Sequence, residues 1–323
     1  VRAAVNTRYG PPEVVRLEEV EPPVPGPGDV LVRVRATTVN RTDCAYRAAH
    51  PFFMRTMTGL SAPKRTILGT EYAGEVTGVG SSVTTFAVGE RVFGYCEGTF
   101  GAHAEQLVAA AASMIAKTPE GVTDISAAAA TEGSHYARSA ITRGGVRAGQ
   151  RVLVNGATGG IGSAAVQLLR ALGAEVTAVC AGEHFDLVRG LGATDVVDYS
   201  IEDFTRLDER FDVVIDAVGK STFRQCRHLL EPGGVYISSE LGPGWQNLPL
   251  ALIGTATRGR RRVVFPYPEE GQHVVEEIRD HLAVGTFRPV VERTYPLEDI
   301  VDAYRYVESG EKIGNVVITV DQD

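Results

Sequence analysis

The stretch VLVNGATGGIG, residues 152–162, decides the fold. An apolar run breaks into glycines and resumes as a helix rich in Ala, Leu and Val, which is the setting a dinucleotide-binding turn requires. Against the pattern G-x-G-x-x-G, Ala157 holds the first glycine position and Gly159 and Gly162 hold the others, with Gly156 adding freedom in the turn. The middle glycine lets backbone approach a pyrophosphate, and the last lets the helix pack close to the strand. Gly160 and Ile161 then open the helix, whose N-terminal N–H groups and positive dipole end face the phosphates. Glycines also cluster in ordinary strand-to-helix turns; the surrounding strand and helix separate the two readings.

Outward from this turn, residues 123–266 alternate helix-like and strand-like segments. Strands are expected at 151–155, 176–179, 196–197, 213–216 and 235–238, and helices at 125–130, 134–141, up to 172, 185–191 and 222–230. Continuous apolar strands mark a parallel sheet covered on both faces, so the expected fold class is α/β, a doubly wound parallel sheet. Residues 1–122 read differently: 30–39 alternate as a strand with one wet face, and Gly74, Gly78, Gly80 and Gly89 punctuate short strands of a small twisted β-domain. The tail predicts a helix at 272–284, a strand at 288–291, a helix at 297–309 and a strand at 315–320, with its home undecided by local pattern.

A chain of 323 residues fits two domains, and 44% hydrophobic with 22% charged residues is ordinary globular composition. The net charge of −8 argues against nucleic acid and anionic membranes as partners. Arg258, Arg260, Arg261 and Arg262 form the one basic run, a solvated face before it is a nucleic-acid site. Four scattered cysteines fit reduced thiols and a cytoplasmic location. No apolar run reaches membrane-spanning length, and no signal-peptide core opens the chain.

Which nicotinamide cofactor binds depends on the end of the second strand, where an acid would hold the ribose hydroxyls of NAD. Ala181 and its neighbours there are uncharged, which favours NADPH, with NADH possible. No Arg or Lys follows, and Tyr199 is placed to hydrogen-bond the phosphate or cover the adenine.

The segments GTEYAGEVTGVG (69–80), VGERVFG (88–94), VLVNGATGGIGSAAVQLLRALGA (152–174), DAVG (216–219), LEPGGVYI (230–237) and GNVVI (314–318) resemble the medium-chain dehydrogenase/reductase superfamily, nearest its zinc-free quinone oxidoreductase and enoyl reductase branch. The resemblance implies a Rossmann domain (123–266) inserted in a GroES-like β-rich catalytic domain (1–122 with 267–323), an active site in the cleft between them, and a homodimer. It implies further cofactor contacts at Ala217, Val218, Gly219, Ser238, Ser239 and Asn315. Zinc-dependent relatives use Cys, His and a third Cys or Asp. Here Thr70 stands at the His position and residues 130–132 carry no Cys, so no metal is expected, with Cys44 and Glu132 the residues that argue otherwise.

The expected reaction is hydride delivery to a small hydrophobic quinone or α,β-unsaturated carbonyl. Its rivals are an alcohol dehydrogenase with an unusual metal site and a non-catalytic NADPH-binding redox sensor. Asn40 and Asp43 match the Asn-x-x-Asp that relatives place beside the nicotinamide, though Asp43 also suits a helix cap. Tyr46 is a candidate proton donor or a packing residue. Thr131 resembles positions that touch the nicotinamide; Glu132 and His135 are departures from the family, either tuned acids or bases or hydrogen-bonded structure. The stretch 50–65, with Phe52, Phe53, Met54 and Met57, shapes an apolar pocket or lid, or else a satellite core or dimer contact.

Overall fold

The computed structural model describes residues 1–256 and 260–320. The chain opens with β1 (Arg2–Val5), β2 (Arg16–Glu19) and β3 (Asp29–Val39), then α1 (Arg41–Ala48) and α2 (Arg55–Thr58), then β4 (Glu71–Val79), β5 (Arg91–Tyr95), β6 (Gln106–Ala110) and β7 (Met114–Lys117). Next come α3 (Asp124–Ala128), α4 (Thr131–Gly144), β8 (Arg151–Asn155), α5 (Gly160–Leu172), β9 (Glu175–Cys180), α6 (Phe185–Leu191), β10 (Asp195–Asp198) and β11 (Phe211–Asp216). The rest is α7 (Phe223–Cys226), β12 (Leu230–Ser238), α8 (Asn247–Ala256), β13 (Arg262–Val264), α9 (Gln272–Val284), β14 (Val291–Pro296), α10 (Ile300–Ser309) and β15 (Asn315–Thr319). Two compact units result: Val1–Glu132 with Glu270–Asp323, and Gly133–Glu269.

The first unit is built on a seven-stranded sheet of order β14-β15-β3-β4-β5-β7, with β6 also pairing β3. Val30, Val32 and Val34 alternate inward from β3, as a half-buried strand must, and meet Tyr72, Val76, Val92 and Ile115 in one core. The tail joins this sheet: β15 runs antiparallel to β3, with Val316 opposite Val39 and Thr319 opposite Ala36. Helix α10 seals the core with Ile300, Ala303, Tyr304 and Val307, one stripe at helical spacing, and stops at Gly310 in the left-handed region.

The second unit is a six-stranded parallel sheet of order β10-β9-β8-β11-β12-β13. In that order the chain leaves β8 in one direction to build β9 and β10, and returns across it to β11, so the turn after β8 lies at the switch point where such sheets bind ligands. Leu153, Val179, Phe211, Val214, Leu229 and Tyr236 fill one face of the sheet.

Two sequence expectations shift. The strand expected at 288–291 is β14, displaced toward the C-terminus because Pro289 has no N–H to give a ladder; its exposed edge residues carry no alternating signal. The helix expected at 222–230 is one short turn, α7, followed by a 3-10 turn at Arg227–Leu229. Arg258 lies outside the described residues; Arg262 starts β13, the outermost strand of its sheet, and donates to Gly233 O at 3.1 Å.

Candidate functional site

In the second unit the turn after β8 is fixed by its backbone. The N–H groups of Gly156 and Ala157 both donate to Val179 O at 3.1 Å, and Gly159 N donates to Gly156 O at 3.1 Å. Gly156 has φ +79°, where L side chains are strained. Gly162 is required by space alone: a Cβ there would lie 2.0 Å from Gly156 O. At Gly159, the N-cap of α5, a Cβ would meet nothing nearer than Gly156 O at 3.5 Å, so backbone is open to an approaching group. Gly160 and Ile161 follow in the first helical turn, whose N–H groups have no partner within the helix. A cradle closed by Gly162 and open at Gly159 fits a pyrophosphate.

Beside it, the buried Asp216 carboxylate ties down the loop after β11. It accepts from Ser221 N at 2.8 Å, Ser221 Oγ at 2.7 Å, Asn155 Nδ2 at 3.0 Å and Tyr236 OH at 3.1 Å. Ala217 N donates to Asn155 O at 3.0 Å, Val218 is 40% exposed, and Gly219 sits at φ +65° with no room for a Cβ against Glu240. Ser238 ends β12, where its hydroxyl accepts from Glu240 N at 3.2 Å, and Ser239 follows it. Ala181 follows β9, and Tyr199, which follows β10, is exposed. These residues gather at the C-terminal ends of the parallel strands. Asn315 does not belong to this group: it sits in the first unit, where its side-chain amide donates to Val290 O at 3.1 Å. His135 is buried in the second unit, its Nε2 donating to the Glu269 carbonyl at 2.7 Å.

The first unit holds a layer of buried polar side chains. Asn40 caps α1: its Oδ1 accepts from Asp43 N at 2.9 Å while Asp43 Oδ2 accepts from Asn40 N at 3.1 Å, a reciprocal capping box. The other Asp43 oxygen accepts from Gly69 N at 3.0 Å. Desolvation pushes the Asp43 carboxyl up to about 8. Its neighbour His103 donates from Nε2 to Thr38 O at 2.7 Å, and burial lowers that ring to about 4, so it is neutral.

Glu71, at the start of β4, is the hub of this layer. Its Oε1 accepts from Thr131 N at 3.0 Å, Thr131 Oγ1 at 2.9 Å and Glu132 N at 2.6 Å, and its Oε2 from Thr38 Oγ1 at 2.6 Å. Glu71 therefore caps α4 from another strand. Glu132, half-buried, accepts from Thr42 Oγ1 at 2.7 Å. Burial raises both carboxyls; four donors restrain Glu71, so Glu132, lying against Glu71, rises further and is the one that holds a proton. Lys312, lowered by burial, has Glu132 as its strongest charge neighbour and donates to Gly314 O at 2.6 Å. Sequence reasoning passed over Glu71; its signal was a carboxylate set directly before the apolar Tyr72 and Ala73 at the start of β4.

Tyr46 extends from α1 with its ring centroid 4.6 Å from that of Phe100, and lines a cavity of about 310 Å³ with Met57, Lys64, Arg65 and Leu68. The segment 50–65 contributes Met57, Lys64 and Arg65 to that wall; Phe52, also in this segment, is exposed. Cys44 is buried and its thiol pushed up to about 12, an inert small hydrophobe. Thr70 Oγ1 accepts from Asn40 Nδ2 at 2.7 Å. Among the described residues, no three His, Cys, Asp or Glu side chains converge as metal ligands.

Residues 26–120 match the family model described as the alcohol dehydrogenase GroES-like domain, and residues 191–318 match the one described as zinc-binding dehydrogenase. The quinone oxidoreductase of Pseudomonas aeruginosa is 30% identical over 96% of this chain and 97% of its own. The chain belongs to the medium-chain dehydrogenase/reductase superfamily. Within this superfamily it falls in the quinone oxidoreductase and enoyl reductase branch, and it is an oxidoreductase. Mouse (Mus musculus) NAD(P)H oxidoreductase RTN4IP1, mitochondrial, is 30% identical over 98% of this chain and 89% of its own. A solved structure of the Coxiella burnetii quinone oxidoreductase shares the superfamily fold at TM-score 0.88, with 23% identity over 99% of both chains.

Proposed function

We propose that this chain is an NAD(P)H-dependent reductase that works without zinc and delivers hydride to a quinone or to the β-carbon of an α,β-unsaturated carbonyl. The observation that carries the reading is the 2.7 Å bond from Asn40 Nδ2 to Thr70 Oγ1, at the position where zinc-dependent relatives place their histidine. An amide and a hydroxyl committed to each other do not fit zinc, which takes imidazole, thiolate or carboxylate. The name of the family model over 191–318 and this donor set therefore disagree, and no step is routed through a metal.

The nicotinamide cofactor supplies the hydride; the turn from Gly156 to Gly162 would hold its pyrophosphate, and the loop at Ala217–Gly219 would flank it. Without a Lewis acid the acceptor must spread the charge it gains, as a quinone or an enone does. Tyr46, half-buried on the wall of a cavity lined by Met57, Leu68 and Phe100 together with Lys64 and Arg65, is the group placed to give the acceptor a proton. Asn40, Asp43 and Thr131 support from beneath as positioning residues. The names of the Pseudomonas and mouse relatives support the acceptor class and the cofactor. The reading includes a homodimer built along β13, the outermost strand of its sheet among the described residues, near the exposed Leu252 and Ile253 of α8, and a cytoplasmic location. No helix among the described residues is long and apolar enough to cross a membrane.

Oxidation of NADPH and NADH, followed against a panel of quinones, enones and aldehydes with and without a chelator, tests it. Turnover of quinones or enones that survives chelation is expected. Aldehyde reduction abolished by the chelator would overturn the reading, as would one tightly bound zinc per chain on metal analysis.

A further inference from the structure

We propose that the ribose end of the dinucleotide site selects the 2′-hydroxyl cofactor, NADH, and rejects the 2′-phosphate of NADPH, with Asp198 as the residue that reads the difference. The inference rests on the reading that the turn from Gly156 to Gly162 holds a dinucleotide.

In a doubly wound sheet the strand next to the glycine-rich turn ends beside the adenosine ribose, and an acid there accepts from its hydroxyls. That strand is β9, which pairs β8 and ends at Cys180 without an acid. The parallel pairing of β10 with β9 sets Asp198 level with Cys180. The carboxylate then turns over the end of β9: a Cβ built at Gly182 would lie 2.4 Å from Asp198 Oδ2, so any side chain there would displace it. Oδ1 is anchored by Ser200 N at 2.8 Å and Ser200 Oγ at 2.6 Å. Those bonds, with one from Gly182 N, hold the carboxyl below its usual range, so it is charged at neutral pH. The acid missing from the second strand is supplied by the third.

Two carboxylates, Asp198 and Glu183, stand at this end of β9. Glu183 follows Gly182 with its side chain 76% exposed, 3.4 Å from the ring of its own successor His184. Among the described residues, neither Asp198 nor Glu183 is paired with a Lys or Arg side chain. A 2′-phosphate carries up to two negative charges and needs Arg or Lys to hold it. Against Asp198 and Glu183 it is repelled, whereas a 2′-hydroxyl donates a hydrogen bond to the carboxylate. On this reading Asp198, 17 positions beyond Ala181 (198 − 181), outweighs the uncharged Ala181 from which NADPH was expected.

The test is calorimetric titration of the full chain with ADP-ribose and with 2′-phospho-ADP-ribose, which probe the ribose end without hydride transfer. ADP-ribose is expected to bind at least tenfold tighter, a difference of about 1.4 kcal/mol. Raised salt should shrink that ratio, because it screens the repulsion. Asp198→Asn should bring the two affinities within about threefold of each other, with folding checked by circular dichroism. Glu183→Gln, at an exposed position that leaves the fold intact, should narrow the ratio by a smaller step. Equal or tighter binding of the 2′-phosphorylated fragment to the unmodified chain would overturn the proposal, as would a ratio that neither substitution moves. If a folded chain bound neither fragment, the dinucleotide reading itself would fall, and the two failures are thereby told apart.

Discussion

Replacing Glu71 separates the two things a buried carboxylate can contribute, its charge and its hydrogen bonds. In Glu71→Ala the backbone N–H groups of Thr131 and Glu132 lose their acceptor at the start of α4, and Thr38 and Thr131 lose the partner of their hydroxyls. The hydroxyls can turn; Thr131 Oγ1 already has Gly94 O at 3.4 Å. The two N–H groups cannot, and each orphaned buried donor costs about 1–3 kcal/mol. Loss of an anion at the helix start adds about 0.3–1 kcal/mol. The expected total is about 2–7 kcal/mol, or a fall in Tm of about 4–28 °C for a unit of this size. Glu71→Gln keeps an oxygen toward the three donors on Thr131 and Glu132, and its amide N–H can donate to the Thr38 hydroxyl, which swaps roles. Its expected cost is about 1 kcal/mol, which is the dipole contribution alone. Urea unfolding followed by circular dichroism measures both variants. A Gln variant as unstable as the Ala variant would refute the argument, because charge and not hydrogen bonding would then hold α4 in place.

The two glycines of the turn should fail differently: Gly162→Ala forces a Cβ to 2.0 Å from Gly156 O and should cost about 1–3 kcal/mol of stability, while Gly159→Ala should leave Tm unchanged and weaken ADP-ribose binding tenfold or more by calorimetry. Asp43 and His103 give opposite pH dependences. A carboxyl raised to about 8 contributes stability that is complete below its unfolded value and is lost as pH rises through 8; a ring lowered to about 4 contributes stability that is complete above its unfolded value and is lost as pH falls through 4. Between pH 6.5 and 8 only the Asp43 effect operates of these two, at up to about 1.4 kcal/mol per pH unit, so urea midpoints of Asp43→Asn should fall less steeply there than those of the unmodified chain. A parallel fall in both would remove Asp43 from the account. Tyr46→Phe should lower enone turnover about a hundredfold at unchanged Tm; unchanged turnover would mean that the proton comes from elsewhere.

What the sequence shows well is what depends on neighbours in the chain. The turn at 152–162 and the helix to 172 are local, and α9 and α6 fall on their expected residues because helical spacing and a following glycine mark them. The strand order around β8 follows from the βαβ alternation and the right-handed crossover it imposes. Contacts between distant segments are invisible to such reading. Nothing near residue 315 announces that Val316 pairs with Val39, and nothing near Ala181 announces Asp198. Glu71 was hidden for the same reason: its partners Thr38, Thr131 and Glu132 come from β3 and α4. Asn315 came from the resemblance and His135 from its departure from it; neither reading could foresee their hydrogen bonds to the Val290 and Glu269 carbonyls, which join distant segments.

The polar layer of the first unit also bears on where chemistry can occur. Asn40, Asp43, Thr70, Glu71, Thr131 and His103 are all buried, and a buried polar group persists when its bonds are made inside the protein. Here they are made to one another and to backbone, so recruiting any one of them for proton transfer breaks a bond that holds α1, β4 or α4 in register. Freeing Thr70 would orphan Asn40 Nδ2; moving Glu71 would orphan the start of α4. Groups that can change protonation without that cost lie at the border of the layer, where burial is partial: Tyr46 beside the cavity, and Glu132, held through a single oxygen by Thr42. The interior residues set the geometry through bonds made to one another, and the border residues are the ones that can give up a proton while breaking the fewest of those bonds.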